Sequence, residues 1–129
     1  MTIAFWFFLR QDSTGSFRTI FSKGNSHDEM EMVLQLWPND RRLHWKLFPD
    51  AKTTVQVDSV GQLLMRRWTM ISLTISSNSM SIFLNGRKDN TVTTNSDRGI
   101  VVGAPFFFGK DPWFPGVGCY IEELKIFSK

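Results

Sequence analysis

The chain has 129 residues, a length that accommodates one domain with a single hydrophobic core. No 18 apolar residues run together anywhere, so we expect no membrane insertion. Fifteen Lys and Arg against twelve Asp and Glu leave a net charge of +3, which is too weak a bias to indicate a nucleic-acid partner.

The single cysteine, Cys119, excludes an intrachain disulfide and any metal site built from several cysteines. It lies beside an apolar segment, between Gly118 and Tyr120. We therefore expect a small buried hydrophobic side chain rather than a reactive thiol.

The first half of the chain alternates short apolar segments with polar turns. Residues 3–9 are apolar at nearly every position, which predicts a strand covered on both faces, or one covered by something outside the chain. Further on, Phe17, Thr19 and Phe21 are expected to share one face of a strand. Pro38 opens a turn that joins two strands into a hairpin. The strands predicted here cover residues 3–9, 17–22, 31–37 and 43–48, with another beginning at Val55.

The second half continues the same pattern. Residues 61–67 predict a loop with one turn of helix. Asn85-Gly86 is typical of a type I′ hairpin turn, which needs two residues with positive φ. Strands are predicted over residues 68–76, 80–84, 88–94, 100–108 and 120–127. Nine to eleven short strands, with no convincing amphipathic helix, indicate an all-β sandwich or barrel.

Several segments, in order along the chain, together resemble a known family. They are Ile3-Ala4-Phe5-Trp6-Phe7, Ile20-Phe21-Ser22-Lys23-Gly24, the hairpin from Trp68 to Asn85-Gly86, Phe107-Phe108-Gly109-Lys110-Asp111-Pro112, and Tyr120 to Phe127. Over essentially the whole chain this resembles the laminin G-like domains of the concanavalin A-like lectin/glucanase superfamily.

The resemblance implies a jelly roll of two curved antiparallel sheets, with the last strand near the first. It also implies further strands ahead of residues 3–9. We therefore expect residues 1–129 to form a single domain, excised from a larger protein whose remainder covers residues 3–9. Laminin G-like domains are mostly extracellular, so the resemblance favours the cell exterior or surface, although related sandwiches also occur inside cells.

The sequence does not indicate an enzyme. The glucanase branch of the superfamily uses Glu-x-Asp-x-Glu on one strand, whereas Glu29-Met30-Glu31 offers two acids only. His27 and His44 lie in polar surroundings without a nucleophile motif, so no Ser/His/Asp triad is expected.

Two loops carry the candidate ligand-binding residues. An aromatic side chain on a loop, beside polar groups, is typical of a surface that binds sugars, although such side chains also fold back over the core. The candidates are Trp37, Asn39, Arg41, Arg42, Trp113 and Phe114. The other tryptophans are expected in the core: Trp6, Trp45 and Trp68.

Loop oxygens offer a candidate calcium site. Asp111 and Asp97 are its predicted ligands, with Asn95 and Asp89 in neighbouring loops. Ordinary turn chemistry explains the same residues, because Asp and Asn cap turns through their own backbone.

Two functions fit these features. The first is a non-catalytic module for protein–protein interaction or adhesion; the alternative is a lectin-like carbohydrate-binding module, assisted by Ca²⁺ if that site exists. A concave groove lined by Trp and polar side chains would favour sugar, and a flat apolar face would favour protein.

Overall fold

The computed structural model describes residues 1–25, 29–48, 54–94, 105–109 and 115–127. This part of the chain forms ten strands: β1 (Thr2–Leu9), β2 (Arg18–Gly24), β3 (Met30–Leu36), β4 (Arg42–Leu47), β5 (Val55–Gln62), β6 (Trp68–Ile75), β7 (Ser79–Leu84), β8 (Arg87–Thr93), β9 (Phe106–Phe108) and β10 (Cys119–Phe127). Within those same ranges, no helix has the length and apolarity needed to cross a bilayer.

The strands form two five-stranded antiparallel sheets. Sheet one has the order β10-β1-β6-β7-β8, and sheet two has the order β5-β4-β3-β2-β9. The last strand pairs with the first, as the resemblance implied. The predicted two-sheet antiparallel jelly-roll sandwich is confirmed.

The core fills the space between the inner faces of the two sheets. Phe5 packs edge-to-face against both Phe7 and Phe21, with ring centroids 6.3 Å apart in each pair. Trp45 of sheet two is fully buried in the same cluster, as predicted. Aromatic rings in this arrangement combine a large buried apolar area with favourable quadrupole contacts.

β1 alternates in burial although its sequence does not alternate in polarity. Four side chains face the core and are fully buried: Ile3, Phe5, Phe7 and Leu9. Side chains along a strand point to opposite faces in turn, so Trp6 and Phe8 lie on the outer face of sheet one, where they are half-buried.

Three local predictions can be compared with the structure. The turn at Asn85-Gly86 is confirmed, with φ of 51° and 81°. The prediction that Phe17, Thr19 and Phe21 share one face is wrong, because an irregularity in the β2–β3 pairing between Thr19 and Phe21 changes the register. The helical turn within 61–67 is also wrong. β5 continues through Gln62, and Met65 forms a bridge with Leu9.

One edge of the sandwich is closed by side chains of β8. The Asp89 carboxylate accepts backbone N–H groups of Val60 at 2.6 Å and Gly61 at 3.0 Å. Asn90 donates from Nδ2 to the Asp58 carbonyl at 2.8 Å. These bonds connect β8, an edge strand of sheet one, to β5, an edge strand of sheet two.

Arg18 is a buried cation at the start of β2, with a relative exposure of 1%. Its guanidinium donates to the carbonyls of Gln11 at 3.2 Å, Trp37 at 3.0 Å and Asp40 at 2.8 Å. Burial lowers the pKa of Arg18, and the nearby carboxylates of Asp12 and Asp40 oppose that shift. The side chain therefore holds the loop before β2 against the β3–β4 hairpin.

Replacing Arg18 by Met should destabilise the fold by about 2–4 kcal/mol, because it leaves carbonyl groups without a buried donor. Urea unfolding measures the loss. Arg41→Met is the control, since Arg41 makes an exposed ion pair with Asp12 at 3.3 Å, and that pair should contribute less than about 1 kcal/mol. Equal losses in the two variants would contradict the role given to Arg18.

Candidate binding surfaces

The β3–β4 hairpin carries four of the predicted ligand-binding residues, and it brings two of them together while the other two point elsewhere. The Arg42 guanidinium carbon lies 5.1 Å from the centroid of the Trp37 ring, and Arg42 Nε donates to Asp40 Oδ2 at 2.8 Å. Asn39 is exposed at the turn, whereas Arg41 reaches away towards Asp12. Trp37 and Arg42 therefore form one unit, held by Asp40.

Trp37 is packed on several sides. The ring of Phe17 lies 5.1 Å from it and the ring of His44 lies 4.8 Å from it, in addition to the Arg42 guanidinium. The indole Nε1 is buried and has no hydrogen-bond partner in the described part of the chain. Trp37 thus covers its neighbours, and neither its ring nor its N–H is presented as an open platform for a ligand.

A polar row crosses the outer face of sheet two beneath Trp37. The strand registers align Thr19 with Gln35, Gln35 with His44, and His44 with Asp58. His44 Nδ1 lies 2.5 Å from Asp58 Oδ1. Burial lowers the pKa of His44 below its ordinary value, and Asp58 opposes that shift less strongly. The neutral ring, donating Nδ1–H to the carboxylate, is the form that follows.

Stability should fall as the pH falls below the ordinary histidine value of 6.5. His44 binds its proton less readily in the folded state than in the unfolded state, so acid favours unfolding. Urea unfolding across this range should show a shallower pH dependence in His44→Asn than in the wild type. His27→Asn, which removes the other histidine, is the control. A wild-type slope that persists in His44→Asn would contradict this assignment.

The outer face of sheet one carries a row of aromatic side chains. Register places Phe8 opposite Tyr120 of β10 on one side and opposite Trp68 of β6 on the other. The ring centroids are 5.7 Å apart for Phe8–Tyr120 and 5.4 Å apart for Phe8–Trp68. Tyr120 is 51% exposed and Trp68 is 40% exposed. We call Tyr120, Phe8 and Trp68 the outer aromatic row.

The core positions predicted for Trp6 and Trp68 are wrong. Ile71 and Leu73 face the core, so Trp68, three residues before Ile71, points to the opposite face. Trp6 alternates with Phe5 and Phe7 in the same way. Counting along each strand from its buried side chains would have found both residues.

The remaining predicted site residues lie outside the described ranges. They are Trp113, Phe114, Asp111, Asp97 and Asn95. Asp89 was expected in a loop, but it lies in β8 and is engaged by the backbone of β5. Among the residues that the structure describes, no three His, Cys, Asp or Glu side chains come together as a metal site.

The acidic, thiol and histidine side chains considered for catalysis are either bonded to neighbouring side chains or partly buried. Glu31 forms a buried ion pair with Lys23. Cys119 is half-buried, and burial raises the pKa of its thiol, which disfavours the reactive thiolate. His44 lies between Phe17 and Trp37, with Asp58 as its hydrogen-bond partner.

Comparison with known proteins adds a family and a set of similar folds. A family model described as the concanavalin A-like lectin/glucanases superfamily matches residues 1–129. No curated protein sequence matches the chain. Solved structures do, at identities low enough that the likeness concerns the fold alone.

Three of these structures illustrate the range. The binding domain of botulinum neurotoxin DC, in complex with rat synaptotagmin II, has a TM-score of 0.70 and 14% identity, with 99% of this chain covered and 32% of that one. Botulinum neurotoxin type C, whose cell entry depends on two ganglioside molecules, has a TM-score of 0.69, 15% identity and coverage of 99% and 32%. A SAP-like pentraxin from Limulus polyphemus has a TM-score of 0.64, 16% identity and coverage of 96% and 61%. The chain thus spans about a third of the toxin chains it resembles.

Proposed function

Because the chain belongs to the concanavalin A-like lectin/glucanase superfamily, we propose that it is a non-catalytic binding module that docks to a protein partner. The observation that carries this proposal is the outer aromatic row. The fold alone does not distinguish a binding function from a catalytic one, because function depends on the side chains that the surface presents.

The outer aromatic row is part of a wider apolar area. One step along the strands, register aligns Glu122, Trp6 and Met70. Trp6 and Met70 are both half-buried, so apolar side chains continue across β1 and β6 next to the row. Contiguous exposed apolar area on a soluble domain commonly marks an interaction site, and Trp and Tyr are over-represented among the residues that dominate binding energy.

A sheet face is also the right shape for a protein surface. Phe8, Trp68 and Tyr120 come from three adjacent antiparallel strands, so the row extends across the width of three strands on one face.

The described hairpin does not favour the lectin-like alternative. Stacking on a sugar needs an exposed aromatic face, whereas Trp37 is packed against Phe17, His44 and Arg42. Similar folds nevertheless occur in proteins associated with gangliosides as well as with a protein partner. Glycan binding is therefore the competing outcome that an experiment must include.

The proposal can be tested by placing the photoreactive residue benzoylphenylalanine at position 120, within the outer aromatic row. Irradiation with an extract of the cells that make the protein should give a discrete protein adduct. Trp68→Ser in the same chain should reduce the adduct at least about tenfold, because a large exposed aromatic anchor of the row is lost. Trp68 is partly exposed, so the variant should still unfold cooperatively in urea.

The matched control carries the same photoreactive residue at Gln56, an exposed position of β5 in sheet two. It should give no adduct that responds to Trp68→Ser. An equal adduct from position 56 would contradict docking through sheet one. Binding to a defined glycan that is lost in Trp68→Ser, with no protein adduct at position 120, would contradict a protein-docking function and favour the lectin-like alternative.

A further inference from the structure

We infer that the docking surface selects a protein segment that carries carboxylates beside its apolar anchor. This inference rests on the proposed docking function and adds the chemistry of the partner. It comes from three arginines, Arg10, Arg66 and Arg67, which the fold gathers along one side of the outer aromatic row.

Backbone contacts bring these arginines together although the sequence separates them. Arg66 N donates to the carbonyl of Leu9 at 2.9 Å, so Arg66 is fixed beside the residue that precedes Arg10. Met65 and Leu9 form a bridge at the same point. Arg67 directly precedes Trp68. The end of β1 and the start of β6 therefore bring the backbones of these three arginines to the same side of the apolar area.

The three guanidinium groups are available to a ligand. All three residues are exposed, and in the described ranges none forms an ion pair. The other arginines in the loops and hairpin differ, since Arg41 pairs with Asp12 and Arg42 pairs with Asp40.

Arg10 also links the charged side to the apolar area. Its guanidinium carbon lies 4.7 Å from the centroid of the Tyr120 ring. An arginine guanidinium can stack on an aromatic ring while its N–H groups remain free to form bidentate hydrogen bonds with a carboxylate. A partner that buries an apolar side chain on Phe8 and Trp68 would thus bring a neighbouring carboxylate within reach of Arg10.

The charges on this surface also favour one orientation of the bound partner. Glu122 lies opposite Trp6, one step further from the arginines than Tyr120. A carboxylate of the partner would be attracted on the arginine side of the row and repelled beside Glu122. Complementary charge of this kind mainly improves selectivity and association rate, while the aromatic anchors supply most of the affinity.

The arrangement suits an acidic protein segment better than a single-stranded nucleic acid. Nucleic-acid surfaces of that kind combine a long basic groove with aromatic faces that are open to successive bases. Here the rings of the outer aromatic row pack on one another, and Arg10 covers Tyr120. The positive charge is confined to one side of the row, and Glu122 lies on the other side.

Selection of a displayed library of short random peptides against the full chain tests this inference. Binders are expected to carry an apolar residue next to Asp or Glu. A synthetic peptide from the selection should lose affinity about tenfold in the variant Arg10→Gln/Arg66→Gln/Arg67→Gln, with a weaker dependence on salt. The control Arg41→Gln/Lys46→Gln/Arg87→Gln removes the same charge elsewhere and should bind like the wild type.

The outcomes separate this inference from the function on which it rests. Selected peptides that depend on Trp68 but show no acidic preference, or that bind both triple variants equally, would overturn the inference and leave protein docking standing. No Trp68-dependent peptide at all would count against both. Tighter binding of oligouridylate or heparin than of any acidic peptide, lost in the arginine variant, would also overturn it, since the arginines would then serve another anion.

Discussion

The period-two alternation of β1 is the constraint on which both the core and the proposed docking face depend. Phe5 and Phe7 point inwards, and Phe5 meets both Phe7 and Phe21 in edge-to-face contacts, so the register of β1 is held by large buried rings. A shift by one residue would move every side chain of the strand to the other face. Once Phe5 and Phe7 are inside, Trp6 and Phe8 must lie on the outer face of sheet one.

The outer faces of the two sheets differ in polarity and in exposure to solvent. Sheet two carries polar groups that are nearly inaccessible to solvent, and pairs such as Lys23 with Glu31 and His44 with Asp58 satisfy them. Buried polar groups without such partners would cost stability. Sheet one instead carries exposed apolar rings, which a partner can cover without breaking any ion pair of the described residues. That contrast is why the docking function is assigned to sheet one rather than to the hairpin.

Much of the fold could be predicted from the sequence, because strand periodicity and turn chemistry are local. The direction of Trp68 was also predictable, since its distance from Ile71 decides its face. The altered face of Phe17 was not, because the irregularity after Thr19 is a property of the β2–β3 pairing. The packing of Phe17 on Trp37 joins the segment before β2 to the β3–β4 hairpin, and the approach of Arg66 to Leu9 joins residues 57 positions apart, so neither contact follows from a local pattern.

Covalent footprinting of surface side chains, with the protein free and bound to its partner, tests the docking face most directly. Trp68 and Tyr120 should be modified readily in the free protein and protected in the complex, whereas Gln56 should be modified equally in both states. Protection centred on Asn39 and Arg42, with Trp68 and Tyr120 unchanged, would contradict the assignment and move the binding site to the hairpin.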